Sequence, residues 1–140
     1  MRQILLFAAL TASLSLLAGC TLSKTKADTA EDMPGKAAYH KISADGAYEM
    51  MASQEVVVVD VRTREEYESG HIENAVLIPN ESIGGEMPEA LPDKEATLLI
   101  YCRSGRRSKD AAQKLLELGY QSVYDFGGVI DWPYQLVKEG

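Results

Sequence analysis

Cys102 is the residue on which chemistry can turn, because Arg103, Arg106 and Arg107 follow within five positions and Lys109 comes two later. An apolar run over residues 97–101 leads into the cysteine. Beyond the arginines Ala111, Leu115 and Leu118 recur at helical spacing, with Ala112 and Leu116 beside them. The pattern predicts strand, tight loop, helix. That order aims the free N–H groups of the helix's first turn, and the positive end of its dipole, at the space around Cys102. Each exposed cation at such a helix start costs roughly 0.3–1 kcal/mol, and Asp110 offsets only part of this. A bound anion or a thiolate makes the arrangement favourable. A cysteine ending an apolar strand is ordinarily a core residue, but three arginines in the next five positions favour a nucleophilic thiolate.

The elements that must position this loop read along the chain. A short extended piece around Lys41 and Ile42 precedes a helix capped by Ser43, with Ala44, Ala47, Tyr48 and Met51 on one face. Residues 56–59 are a continuous run of valine, the signature of a strand covered on both faces, and Asp60 ends it. Thr63 and Glu66 form a capping box for a helix over residues 64–69 that Gly70 stops. Residues 75–78 are the next strand, closed by Pro79. The segment 80–93 carries Gly84, Gly85, Pro88 and Pro92 and predicts at most short helical turns, over 86–91. The helix after Cys102 stops at Gly119, residues 123–126 are the last strand, and Gly127-Gly128 follows. Val129, Trp132, Leu136 and Val137 then predict a closing amphipathic helix, kinked or restarted at Pro133.

Strands alternating with helices predict an α/β fold with a mainly parallel five-stranded sheet and helices on both faces. In open sheets of this kind ligands bind beyond the carboxyl ends of strands, where Asp60, Cys102 and Gly127-Gly128 fall. The sequence contains no phosphate-binding P-loop and no internal repeat, and His40 and His71 do not make a zinc site without further ligands.

Before the domain, residues 1–19 predict a secretory leader: Arg2, then an apolar run over residues 4–18, too short to span a bilayer comfortably. It ends in Leu17-Ala18-Gly19-Cys20, which resembles the bacterial lipobox. That resemblance implies a diacylglycerol on the Cys20 thiol and cleavage ahead of it, so that Cys20 anchors the protein to a membrane facing the periplasm. Thr21 in place of Asp favours the outer membrane if the envelope is Gram-negative. Residues 20–38 read as a lipidated flexible tether and residues 39–140 as the folded domain. The net charge is −7, or −8 without Arg2, which argues against nucleic acid as a partner. With Cys20 acylated, Cys102 is the one free thiol, a liability in an oxidising envelope unless it is used.

Four separated motifs then stand in one order: Val59-Asp60-Val61-Arg62; Gly70-His71-Ile72-Glu73-Asn74-Ala75 leading to Ile78-Pro79; Tyr101-Cys102-Arg103-Ser104-Gly105-Arg106-Arg107; and Gly127-Gly128 with Trp132. In order and spacing they resemble a single-domain rhodanese, from about Tyr39 to the C-terminus. One departure is Asn74, where the family often has Gly; Asn tolerates left-handed backbone, so the turn is expected to survive. The resemblance implies a sulfurtransferase in which Cys102 takes a sulfane sulfur from thiosulfate, a polysulfide or a persulfide, holds it as a persulfide, and passes it to a thiol, cyanide or protein acceptor. No cofactor or metal is implied. The binding loop would comprise Arg103, Ser104, Gly105, Arg106 and Arg107. Arg103 and Arg107 would hold the anionic donor, Gly105 would let the loop curl, and Arg106 would supply general positive potential. Asp60 and Arg62 would support loops, His71 would belong to a structural turn, and Trp132 would be core.

Two rival readings remain. A cysteine phosphatase or arsenate reductase would use a Cys-x5-Arg loop, whereas four residues separate Cys102 from Arg107. A membrane-tethered sulfur carrier or binding module would keep the same residues without high turnover.

Overall fold

The computed structural model describes residues 37–138, so the leader, Cys20 and most of the tether lie outside the described residues. The strands are β1 (Ala38–Lys41), β2 (Val57–Asp60), β3 (Val76–Leu77), β4 (Thr97–Cys102) and β5 (Ser122–Gly128). Between them run the helices α1 (Ala44–Ser53), α2 (Arg64–Ser69) and α3 (Arg106–Glu117), with 3-10 turns at Asn80–Ser82 and Val129–Asp131. The strands form one sheet in the order β1-β5-β4-β2-β3, and every pairing is parallel.

Apolar side chains on the two faces of the sheet build two cores. Ala111, Ala112 and Leu115 of α3 pack with Val59, Leu98 and Ile100 on one side. On the other, Ala47 of α1 and Tyr67 of α2 pack with Val58, Leu99, Tyr101 and Phe126. A strand covered on both faces must be apolar at successive positions, which is why β2 and β4 read as unbroken runs. With β4 central, Cys102 leaves the sheet at its carboxyl edge, opposite Gly128 of β5.

Local signals hold closely. Ser43 accepts from the Gly46 N–H at 3.0 Å, and Thr63 and Glu66 make both bonds of the capping box. Asn74 adopts φ 61°, the left-handed turn expected of it. Two expectations fail. No helix forms over residues 86–91, where flanking glycines and prolines leave only a turn and the helical piece falls at Asn80–Ser82. No closing amphipathic helix forms either. After the turn at Val129–Asp131 the chain continues without regular structure through a bend at Tyr134, and Val137 pairs antiparallel with His71. Pro133 cannot donate to a helix, and the strap gains main-chain partners at residue 71 instead. Tyr48, expected on the buried face of α1, is 46% exposed and stacks on Tyr134 at 3.8 Å.

Candidate active site

β4 delivers Cys102 to the edge of the sheet, and the loop returns over it before α3 begins. Gly105, the residue before the helix, has φ 99°, a backbone setting that other residues adopt only with strain. This turn brings the Gly105 N–H to 3.0 Å from the Cys102 Sγ. The Ser108 hydroxyl oxygen lies 3.7 Å from the same sulfur. Cys102 is 1% exposed. Burial pushes its thiol up, but the backbone N–H groups of Ser108, Gly105 and Ser104, together with the Ser108 hydroxyl, outweigh that and hold it below the ordinary cysteine value. The sulfur therefore sits in a cup of amides at the start of a helix, arranged to hold negative charge.

β5 closes the cup from the other side. A Cβ on Gly128 would lie 2.7 Å from the Cα of Ser104 and would also strike the Arg103 carbonyl oxygen. That carbonyl accepts from the Ile130 N–H at 3.2 Å. Gly127-Gly128 thus permits backbone-to-backbone packing of the last strand on the active loop.

The arginines do not act as one group. Arg103 and Arg106 are exposed, and their guanidiniums make no hydrogen bond or ion pair among the described residues. Arg107 is half-buried and closes on Glu66 of α2, with Nη1 to Oε2 at 2.7 Å and Nη2 to Oε1 at 2.8 Å. Two cations are thus available to an incoming anion, and the third is already neutralised.

Asp60 and Arg62 are buried and bound to each other. Arg62 Nη2 is 2.6 Å from Asp60 Oδ2 and also donates to the Gly70 carbonyl at 2.8 Å. Tyr101 donates to Asp60 at 2.6 Å and accepts from the Ile72 N–H at 3.1 Å. Every strong group in this knot has an internal partner, so it ties β2, β4 and the 70–72 turn together. His71 Nδ1 lies 3.0 Å from the Tyr67 carbonyl, and its ring stacks on Tyr67 at 3.7 Å. Trp132 packs on the second core against Phe126 at 5.5 Å. No group of three or more His, Cys, Asp or Glu among the described residues could hold a metal ion.

Three residues of the site escape a sequence reading. Glu66 is legible as a helix cap but not as the partner of Arg107. Ser108 looks like an ordinary helical serine, yet it is fully buried. Asp125 stands in the strand Val123-Tyr124-Asp125-Phe126 and is 1% exposed. A carboxylate within an apolar strand is the one signal that could have marked it.

Comparison with known proteins agrees with this geometry. Residues 43–133 match the family model described as "Rhodanese-like domain". A solved rhodanese with anions from E. coli is 35% identical, with a TM-score of 0.56 over 61% of this chain and 100% of that one. A human single-domain sulfurtransferase is 27% identical, with a TM-score of 0.59 over 66% of this chain and 93% of that one. Among curated relatives, the tRNA uridine(34) hydroxylase of Yersinia pestis is 32% identical over 106 residues, which are 72% of this chain and 30% of that protein. The chain therefore spans less than a third of the length of the curated relatives it matches.

Proposed function

This chain belongs to the rhodanese-like family, and from that membership we propose that it is a sulfurtransferase working through a persulfide on Cys102. The observation that carries this reading is the amide cup, with the Gly105 N–H 3.0 Å from the sulfur. The Cys102 thiolate attacks the outer, sulfane sulfur of thiosulfate. A new S–S bond forms, the old one breaks with its electron pair on sulfite, and Cys102 carries a persulfide. An acceptor nucleophile, a thiolate or cyanide, then takes the outer sulfur, and the electron pair of the second S–S bond returns to Cys102. The amides that hold the thiolate also hold it as the leaving group of the second step, so one preorganised site serves both. Exposed Arg103 and Arg106 draw the dianion to the loop, and their planar forks suit its oxygens.

The spacing from Cys102 to Arg107 supports sulfur over phosphate: four intervening residues make a nest one residue tighter than a Cys-x5-Arg loop. The enclosure of Cys102 supports a second reading, a carrier that protects a persulfide from solvent and delivers it to a protein acceptor. Mass spectrometry after exposure to thiosulfate tests the common step. One added sulfur on the Cys102 peptide, absent in Cys102→Ser, is expected, and an adduct that survives the substitution defeats the assignment. Thiocyanate formation with cyanide as acceptor then separates a turning-over enzyme from a carrier.

The Leu17-Ala18-Gly19-Cys20 sequence supports a lipid anchor on Cys20, and with it the proposal that this chemistry takes place at a membrane facing the periplasm. Metabolic labelling with a clickable fatty acid, lost in Cys20→Ser, is the expected result.

A further inference from the structure

The buried polar groups behind Cys102 form a line that the sulfur-transfer steps do not use. The Ser108 hydroxyl oxygen is 3.7 Å from the Cys102 Sγ and 2.7 Å from Asp125 Oδ1. The carbonyls of Gly105 and Gly127 lie farther from that oxygen than Asp125 does, at 3.1 and 3.4 Å. Asp125 is 1% exposed and is held on every side. The Gly127 N–H donates at 2.9 Å, the Tyr39 hydroxyl at 2.9 Å, and the Lys41 ammonium stands 3.2 Å away at the edge of the sheet. Burial, and then the hydrogen bond to Asp125, push Tyr39 up to about 12, so it stays a donor.

A serine hydroxyl has one proton to give. With Cys102 as a neutral thiol, that proton goes to the carboxylate at 2.7 Å and the serine oxygen accepts from the S–H. With Cys102 as a thiolate, the same oxygen would face an anion with a lone pair unless the hydroxyl turned. We infer that Ser108, anchored by Asp125, is a positioning residue for the sulfur, its hydroxyl turning from carboxylate to sulfur when Cys102 becomes anionic. The thiol proton leaves to solvent, no bond to serine breaks, and Asp125 keeps its bonds from Gly127, Tyr39 and Lys41. The carboxylate thereby competes with the sulfur for one hydroxyl, and Lys41 weakens the competition by neutralising it. The other charges near the sulfur are Arg107 on α3, whose guanidinium feels Cys102, and its partner Glu66 on α2.

This inference deepens the proposed site and rests on Cys102 being its nucleophile, but it is read on the thiol itself. The experiment follows iodoacetamide alkylation of full-length protein against pH, scored by mass on the peptide that carries Cys102. Ser108→Ala is expected to raise the midpoint and slow alkylation at pH 7 roughly tenfold, the size of one hydrogen bond to a charged group. Asp125→Asn is expected to move the midpoint down. Lys41→Met, at a side chain 54% exposed and thus tolerant of change, is expected to move it up. In the Ser108→Ala background both of these shifts are expected to shrink, because the hydroxyl carries them; shifts that persist in full there would be direct charge effects and would overturn the inference. Unmoved midpoints, shifts of one sign for Asp125→Asn and Lys41→Met, or a Cys102 inert in the parent protein would overturn the inference. Should Asp125→Asn fail to fold, an upward shift in Lys41→Met that is lost in the Ser108→Ala background decides it. The opposed shifts appearing without any labelling by thiosulfate would refute the transfer reading and leave this one standing.

Discussion

Arg107 and Glu66, 41 residues apart in the chain, meet as a two-point fork, 2.7 and 2.8 Å at its two ends. The pair joins the active-loop helix α3 to α2 on the other side of the sheet edge. It also neutralises one of the three arginine cations that follow Cys102 in the chain. An anionic donor must either share Arg107 with Glu66 or bind through Arg103 and Arg106.

Glu66→Gln separates these roles, because Gln at the third helical position still completes the capping box with Thr63. Releasing Arg107 is expected to lower KM for thiosulfate by roughly threefold, about 0.7 kcal/mol. Arg103→Ala and Arg106→Ala are expected to raise it. Steady-state kinetics on the three variants check this, and a rise in KM for Glu66→Gln would assign Glu66 to holding Arg107 in its binding pose.

The same pair predicts an acid sensitivity. The hydrogen bond from Arg107 chiefly, with the Thr63 N–H helping against desolvation, lowers Glu66 from the usual 4.5 to about 2. A folded value below the unfolded one gives stability that is complete above about pH 4.5 and is lost as pH falls toward 2. Screening at a partly exposed pair limits this to about 1–2 kcal/mol. Urea unfolding of parent and Glu66→Gln should differ by that amount at pH 7 and converge near pH 2.

Gly128→Ala tests the packing of β5 on the loop. Its Cβ would meet backbone atoms of Arg103 and Ser104, which cannot step aside as a flexible side chain can. A loss of stability of about 2 kcal/mol or more is expected, with a slower Cys102 alkylation because the amide cup is displaced. Retained stability and reactivity together would show that the loop has room that the geometry denies it.

The buried knot of Asp60, Arg62 and Tyr101 is expected to govern folding and not chemistry. Asp60→Ala leaves the Arg62 guanidinium buried without its counter-ion, a loss of about 3–5 kcal/mol. Tyr101→Phe, which removes one donor to Asp60 and the acceptor for the Ile72 N–H, should cost about 1–3 kcal/mol. Chemical denaturation gives both values. The alkylation midpoint of Cys102 in the folded Tyr101→Phe protein should match the parent, and a shifted midpoint would bring Tyr101 into the site.

What the sequence determined by itself was most of what is set within a few residues, the short helix expected over residues 86–91 excepted. The Thr63–Glu66 box, the Ser43 cap, the left-handed turn at Asn74, the strand-loop-helix around Cys102 and the alternation of elements all follow from capping, backbone freedom and apolar periodicity, which act locally. The same local reasoning failed over residues 129–138, because a stripe of Val129, Trp132, Leu136 and Val137 fits a helix as well as an irregular strap, and only the free main-chain groups of His71 choose between them. Which arginine meets a carboxylate, and which serine stands behind the sulfur, was decided by tertiary structure alone. Glu66 reaches Arg107 because α2 and α3 converge at one end of the sheet, and Asp125 reaches Ser108 because β5 lies beside β4. Partners so far apart in the chain are set by the order of strands, and no spacing between residue types records that order.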